Sequence, residues 1–158
     1  DKMATTLGIN EAKILNLLKE DTVKGMLSIS KNTKEYISYQ PTSKRKVSCE
    51  KIGDNYKFTI DLSLNGDILN NTLYKDIANK SAVQKEFIND MEKKVTEMCY
   101  DFIDKMQNDY KIDCLALGRV AAAKYGRHTG TDWNKAVSES EIVVNVKVKL
   151  DKFGRGNY

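Results

Sequence analysis

Several residue types that often carry chemistry are scarce in this chain. It has one proline, one histidine, one tryptophan and three cysteines in 158 residues. The cysteines, Cys49, Cys99 and Cys114, form no CxxC pair and have no histidine at ligand spacing, so a metal site is not expected. Their number also leaves the redox compartment open. No run approaches the ~18 consecutive apolar residues that a membrane-spanning helix requires. The opening DKMATTLGIN lacks the apolar centre of a signal peptide, and the absence of an initiator Met fits a processed or excised fragment. Proline-rich linkers, repeats and low-complexity segments are also missing, which favours one domain over residues 1–158. The net charge of +4 with 30% charged and 41% hydrophobic residues is that of an ordinary globular protein. An acidic surface or lipid head groups would suit such a charge, which is too small to imply nucleic acid by itself.

What is present is clear periodicity. NEAKILNLLKE reads as a helix over 10–20, capped by Asn10, with Ile9 and Ile14 at the spacing of a hydrophobic staple. From Gly25 the period changes to two. GMLSIS, KEYISYQ and SKRKVSCEKI read as extended segments, with Pro41 interrupting the middle of the run at a bend or an edge. In NYKFTIDLSL, Tyr56, Phe58, Ile60, Leu62 and Leu64 point one way and Lys57, Thr59, Asp61 and Ser63 the other, as in a sheet wetted on one face. Gly53-Asp54-Asn55 reads as a hairpin turn. Asn65-Gly66-Asp67 and Asn70-Asn71 read as further turns.

From Ser81 to Tyr110, apolar residues at 83, 87, 88, 91, 95, 98, 99, 102, 103 and 106 form one helical stripe. Ser81 and Gln84 have capping-box spacing. Asp90 with Lys94, and Asp101 with Lys105, stand as i,i+4 pairs. Such a helix would be about 45 Å long, so a break or an overhang is expected. Asp113 should cap a shorter helix, with Ile112 and Leu117 as its staple, and Gly126 should end it. Residues 127–131 read as a loop, and Trp133 as part of a short turn. In EIVVNVKVKL, Ile142, Val144, Val146, Val148 and Leu150 point inward while Asn145, Lys147 and Lys149 point outward. This order lacks βαβ alternation. It predicts an α+β fold, with an antiparallel sheet and a long helix plus shorter helices packed on one face.

The search for chemistry predicts no catalytic, cofactor or metal residues. Gly118, Gly126 and Gly130 match neither dinucleotide nor phosphate-loop spacing, and with Ala121–Ala123 they read as close-packing residues. Cys114 and His128 could make a nucleophile and base for a hydrolase, but Asp113 next to Cys114 opposes thiolate formation. No serine stands in a GxSxG turn. Lys44, Arg45 and Lys46 form the most basic cluster. Beside Tyr36 and Tyr39 they allow an alternative reading as a single-strand nucleic-acid module, although a charged edge strand accounts for them more simply. Trp133 reads as a packing anchor or a partner-facing aromatic.

The run KMQNDYKIDCLALGRVAAAKYG, with TDWNKAV and EIVVNVKVKL after it, resembles the end of the Ger(x)C family, the C subunits of bacterial spore nutrient-germinant receptors. The matching positions are Asp113, Gly118, Trp133, the strand 142–150 and Gly154. Lys2, Leu7 and Glu11 are similar, more loosely, to the lead into the family's helix. GRHTGT replaces a loop in which the family commonly has proline and a second aromatic, and Asn70 or Asn71 stands where it often has Glu. The resemblance implies the C-terminal domain of a larger lipoprotein. That protein would be lipid-anchored at the extracytoplasmic face of the spore inner membrane, assembled with two integral membrane subunits, without enzymatic activity, cofactor or nucleic acid. Trp133, Lys44, Arg45 and Lys46, with the polar face of the long helix, are the residues expected to meet a protein partner.

Overall fold

The chain is described by a computed structural model over residues 9–126 and 130–151, without the side chains of 9 and 10. In order it forms α1 (Ile9–Lys19), β1 (Thr22–Lys24), β2 (Leu27–Ser30), β3 (Tyr36–Ile52), β4 (Asn55–Asn71), α2 (Ser81–Asp104), a π-wound turn (Lys105–Tyr110), α3 (Leu117–Tyr125), α4 (Trp133–Ser138) and β5 (Glu141–Leu150). The sheet order is β1-β3-β4-β5, with β2 also paired to β3. The helices lie on one face of the sheet, giving the expected α+β class.

β3 and β4 are strands of 17 residues each, joined at Ile52↔Asn55. Gly53 occupies the left-handed turn position at φ 61°, where a Cβ would be strained. Two expected interruptions are absent. Pro41 lies inside β3, opposite Gly66. Its carbonyl accepts from the Gly25 amide at 3.2 Å, so its nitrogen, which carries no hydrogen, faces the same edge. There the pairing passes from β1 (ending Lys24↔Thr42) to β2 (starting Leu27↔Tyr39). The proline removes no ladder bond because no strand partner stands at that gap.

Asn65-Gly66-Asp67 likewise continues β4 rather than turning. Gly66 is needed for close approach: a Cβ there would lie 2.2 Å from the Gln40 oxygen and 2.4 Å from the Pro41 Cα. Asn71 does make a turn, its Oδ1 accepting from the Leu73 and Tyr74 amides at 3.1 and 2.8 Å.

One pairing departs from the expected antiparallel sheet. β5 runs parallel to β4, from Lys57↔Glu141 to Gly66↔Leu150. The intervening helices carry the chain back to its starting end, so β5 enters in the direction of β4. Tyr39, fully buried, donates its hydroxyl to the Lys149 carbonyl at 2.6 Å and so ties β3 to β5 across β4. The free edge of β5 is covered from α2. Tyr100 Oη accepts from the Val144 amide at 3.0 Å, and Glu92 Oε2 from the Val148 amide at 2.9 Å. Edge amides engaged in this way are closed to foreign strands.

The core joins Phe58, Ile60, Leu62 and Leu64 of β4 to Phe87, Met91, Val95, Cys99 and Phe102 of α2, with Ile14, Leu17 and Leu18 of α1 at one end. The stripe on α2 is as the periodicity predicts, but its polar pairs are not. Asp90 accepts from the Tyr74 hydroxyl at 2.6 Å, Lys94 reaches the Ser28 carbonyl, and Lys105 pairs with Glu11. An i,i+4 pair contributes only ~0.2–0.5 kcal/mol, and here each lysine meets a tertiary partner instead. Nor does a capping box form. Lys80 holds the N-cap position without a side-chain bond, and Gln84 Nε2 donates to the Ile77 carbonyl at 2.9 Å. Asn10 lies within α1 rather than capping it, and the Ile9 staple falls outside the described side chains. The expected break in the long helix takes the form of the π-wound turn. Gln107 there donates to the Val137 and Ser140 carbonyls at 2.9 and 2.7 Å, securing the end of α4.

Gly66→Ala should destabilise the fold by about 3 kcal/mol, the upper end of typical overpacking costs, because its nearest contacts are backbone atoms that cannot rotate away. Urea denaturation measures this, and an unchanged midpoint would refute the close approach.

Candidate functional site

Two surfaces carry the candidate functional residues. The first is the corner where the crossover turns toward β5. Lys111 and Ala116 both take left-handed backbone conformations, at φ 54° and 55°, and wind the chain tightly between the π turn and α3. Asp113 sits inside this winding. Its Oδ1 accepts from the Leu117 amide at 2.9 Å and its Oδ2 from the Gly118 amide at 2.8 Å. Asp113 thus caps α3 as expected, although from beyond the N-cap position, which Ala116 holds. A carboxylate suits amides at a helix start, where the macrodipole is positive. The Asp113 amide in turn donates to Asn134 Oδ1 of α4 at 2.9 Å. The predicted staple is not made, since Ile112 is 45% exposed.

α4 begins at Trp133, behind Asp132, whose side chain accepts from the Lys135 amide. The indole rests on α3 at Gly118: a Cβ there would lie 2.6 Å from Trp133 Cβ and Cγ. The structure thus brings Asp113, Gly118 and Trp133 together at one corner. Asn134 is not expected at this corner, since the sequence carries no signal for it beyond a polar residue next to tryptophan.

Nor does the sequence pattern indicate what Trp133 meets on the sheet. Tyr56 lies 5.3 Å from Trp133 and 5.9 Å from Tyr125, centroid to centroid. Lys51 Nζ stands 5.9 Å over the Tyr56 ring, and Lys124 Nζ 5.4 Å over the Tyr125 ring. Two hydrogen bonds fix this end of the hairpin: Lys124 Nζ to the Cys49 carbonyl at 2.7 Å, and the Lys51 amide to Tyr125 Oη at 2.9 Å. Beside the cluster opens a shallow groove of about 330 Å³, lined among others by Lys51, Asp54, Tyr56, Asp132, Lys135 and Glu139. At the tip, Ile52 is 55% exposed. Trp133 is therefore first a packing anchor, and the exposed apolar residues at this end are Tyr125, 38% exposed, and Ile52, which follows Lys51 at the tip.

The second surface is the uncovered face of the sheet. The basic triplet divides across it, because neighbouring strand residues point to opposite faces. Lys44 and Lys46 are exposed, whereas Arg45 faces the helices. There its Nη1 donates to the Leu18 carbonyl at 2.8 Å and its Nη2 meets Asp21 at 3.1 Å. Arg45 thus holds α1 against the sheet and is withdrawn from any contact surface. Tyr39 is buried as well, so the stacking platform that a nucleic-acid module would need is not formed there.

The nucleophile reading also loses its thiol. Cys114 is buried, and burial, then the Asp113 charge, pushes its thiol above the usual cysteine value. His128 lies outside the described residues. Burial alone pushes Cys99 up to about 12. Among the described residues, no group of three or more His, Cys, Asp or Glu is placed to hold a metal ion, and no helix is long and apolar enough to cross a membrane.

Gly118→Ala should force the indole outward and cost about 2 kcal/mol, within the usual range for overpacking. Asp113→Ala should cost about 1–2 kcal/mol through loss of the cap. Trp133 is the sole tryptophan, so its fluorescence reports both unfolding and the local shift. An unaltered emission maximum in Gly118→Ala would contradict the contact.

Comparison with known proteins bears on what such a corner belongs to. No curated protein matches the chain. Its fold is similar to the crystal structure of the GerBC protein, with TM-score 0.75 and 18% identity over 91% of this chain and 46% of that one. This chain therefore spans about half the length of that relative. A family model described as "Spore germination B3/ GerAC like, C-terminal" matches residues 1–154, in agreement with the resemblance carried by Asp113, Gly118 and Trp133. The chain belongs to the spore germination B3/GerAC-like C-terminal family.

Proposed function

We propose that this chain is the C-terminal domain of a larger lipoprotein subunit of a spore germinant receptor. In this reading it performs no chemistry and acts in assembly or signalling, in contact with the receptor's two integral membrane subunits. The full-length protein would be lipid-anchored at the extracytoplasmic face of the spore inner membrane. Support comes from the family's description and from the share of the GerBC chain that this chain spans.

The observation that carries an assembly role is the corner at the hairpin tip. Tyr125, 38% exposed, packs with Tyr56 and Trp133, Lys51 and Lys124 stand over two of the rings, and Ile52, 55% exposed, follows Lys51 at the tip. Aromatic and apolar groups with a polar rim are the composition of protein-interface cores. Tyr125 and Lys124 are held by hydrogen bonds to the backbone of Lys51 and Cys49, so little ordering entropy would be lost on docking. Of the contact residues expected from the sequence, Trp133 stays in this proposal as the support of the corner. Arg45 leaves it, being engaged with α1.

The test is the affinity of the chain for the two membrane subunits, co-purified in detergent. Ile52→Asp should weaken it by about tenfold or more, as loss of a central anchor does, while thermal unfolding stays as in the parent. Undiminished affinity in a folded Ile52→Asp variant would remove the corner from the interface.

A further inference from the structure

The uncovered sheet face carries a second, separate feature. Outward positions fall into lateral rows across four strands. Thr22, Lys44, Ser63 and Lys147 form one row, and Lys24, Thr42, Asn65 and Lys149 the next. Lys46, Asp61 and Asn145 form a third. Lys24, Lys44, Lys46, Lys147 and Lys149 are all exposed, and none makes an ion pair with a described carboxylate. Within the rows the one acid, Asp61, accepts a hydrogen bond from Asn145 Nδ2 at 2.9 Å, and Asp67 borders them beside Gln40. Toward the hairpin tip the pattern changes to Glu50, Lys57 and Glu141. The net positive charge thus lies in one half of the face. With strands ~4.8 Å apart, Lys44 and Lys147 stand about 10 Å from each other and Lys24 and Lys149 about 15 Å.

We infer that this half-face docks on an anionic lipid bilayer. The choice of occupant follows from what accompanies the lysines. The three rows contain no arginine, no aromatic and no large apolar residue. Protein interfaces are depleted in lysine and enriched in the residue types missing here. Single-stranded nucleic acid is held by stacking aromatics together with charge. Lysine is a point charge on a flexible stem that fixes no bidentate geometry. Mobile lipid head groups need none. A flat array of lysines is therefore matched to a surface of diffuse negative charge, which attracts each by a comparable amount.

The aromatic corner lies on the helix side of the sheet at the hairpin tip, so the lipid face and the corner can be engaged at once. The inference does not rest on the identity of the corner's partner, and the vesicle measurement below is made without that partner.

The 158-residue chain is sedimented with phosphatidylcholine vesicles, with and without phosphatidylglycerol. Binding should require the anionic lipid and fade as salt is raised. Lys44→Gln/Lys147→Gln should lower the partition coefficient by roughly 25-fold, about fivefold for each lysine. Lys85→Gln/Lys93→Gln on α2, with the same change in net charge, should leave it nearly intact. Three results would overturn the inference: no binding to anionic vesicles, equal losses in the two folded double variants, or tighter binding to single-stranded DNA with the same dependence on Lys44 and Lys147.

Discussion

β4 is bonded along both edges, antiparallel to β3 over its whole length and parallel to β5 over Lys57–Gly66. The inward residues of those ten positions include Phe58, Ile60, Leu62 and Leu64, all 2% exposed or less. Backbone bonding and apolar burial therefore reinforce each other on one strand. The rest of the architecture is referred to it. β3 can approach closely because Gly66 has no side chain, and Tyr39 can then reach the β5 backbone. A parallel third strand requires a long crossover, which is the work of α2, α3 and α4. The corner at Asp113, Gly118 and Trp133 is where that crossover is turned and aimed.

This arrangement leaves a division of labour between the two sides of the molecule. The helix side is closed by the core and ends in an aromatic group at the hairpin tip. The opposite side of the sheet stays polar and open, with its lysines spread from β1 to β5 in the half away from the tip. Arg45, between Lys44 and Lys46 in the chain, is turned under α1 by the alternation of the strand. The consequence for function is geometric. One surface has the rigidity and composition of a protein contact, the other has diffuse charge alone, and they do not compete for space.

Much of this is legible in the residues, and the parts that are not share a cause. The alternation of NYKFTIDLSL and EIVVNVKVKL, the stripe of the long helix and the Gly53 turn are local patterns set by the direction of successive side chains. Asp113, Gly118 and Trp133 were visible as a set because they resemble a family pattern. Pro41 and Asn65-Gly66-Asp67 misled for a physical reason: both look like interruptions unless one knows that they face each other across a ladder. The same holds for the parallel direction of β5, for Tyr56 meeting Trp133, and for lysines that leave their i,i+4 partners. Each depends on a neighbour distant in sequence. The outward set of Lys147 and Lys149 was legible, but its union with Lys24, Lys44 and Lys46 needed the strand order.

β4 is the element on which everything else is assembled. Native-state hydrogen exchange tests this directly, because it resolves local opening from global unfolding. Amides of β4 between Phe58 and Leu64 should exchange only through global unfolding. Those of β1 and β2, short strands at the edge, should exchange through smaller openings. Exchange of the β4 amides through an opening that leaves the α2 amides protected would contradict the account.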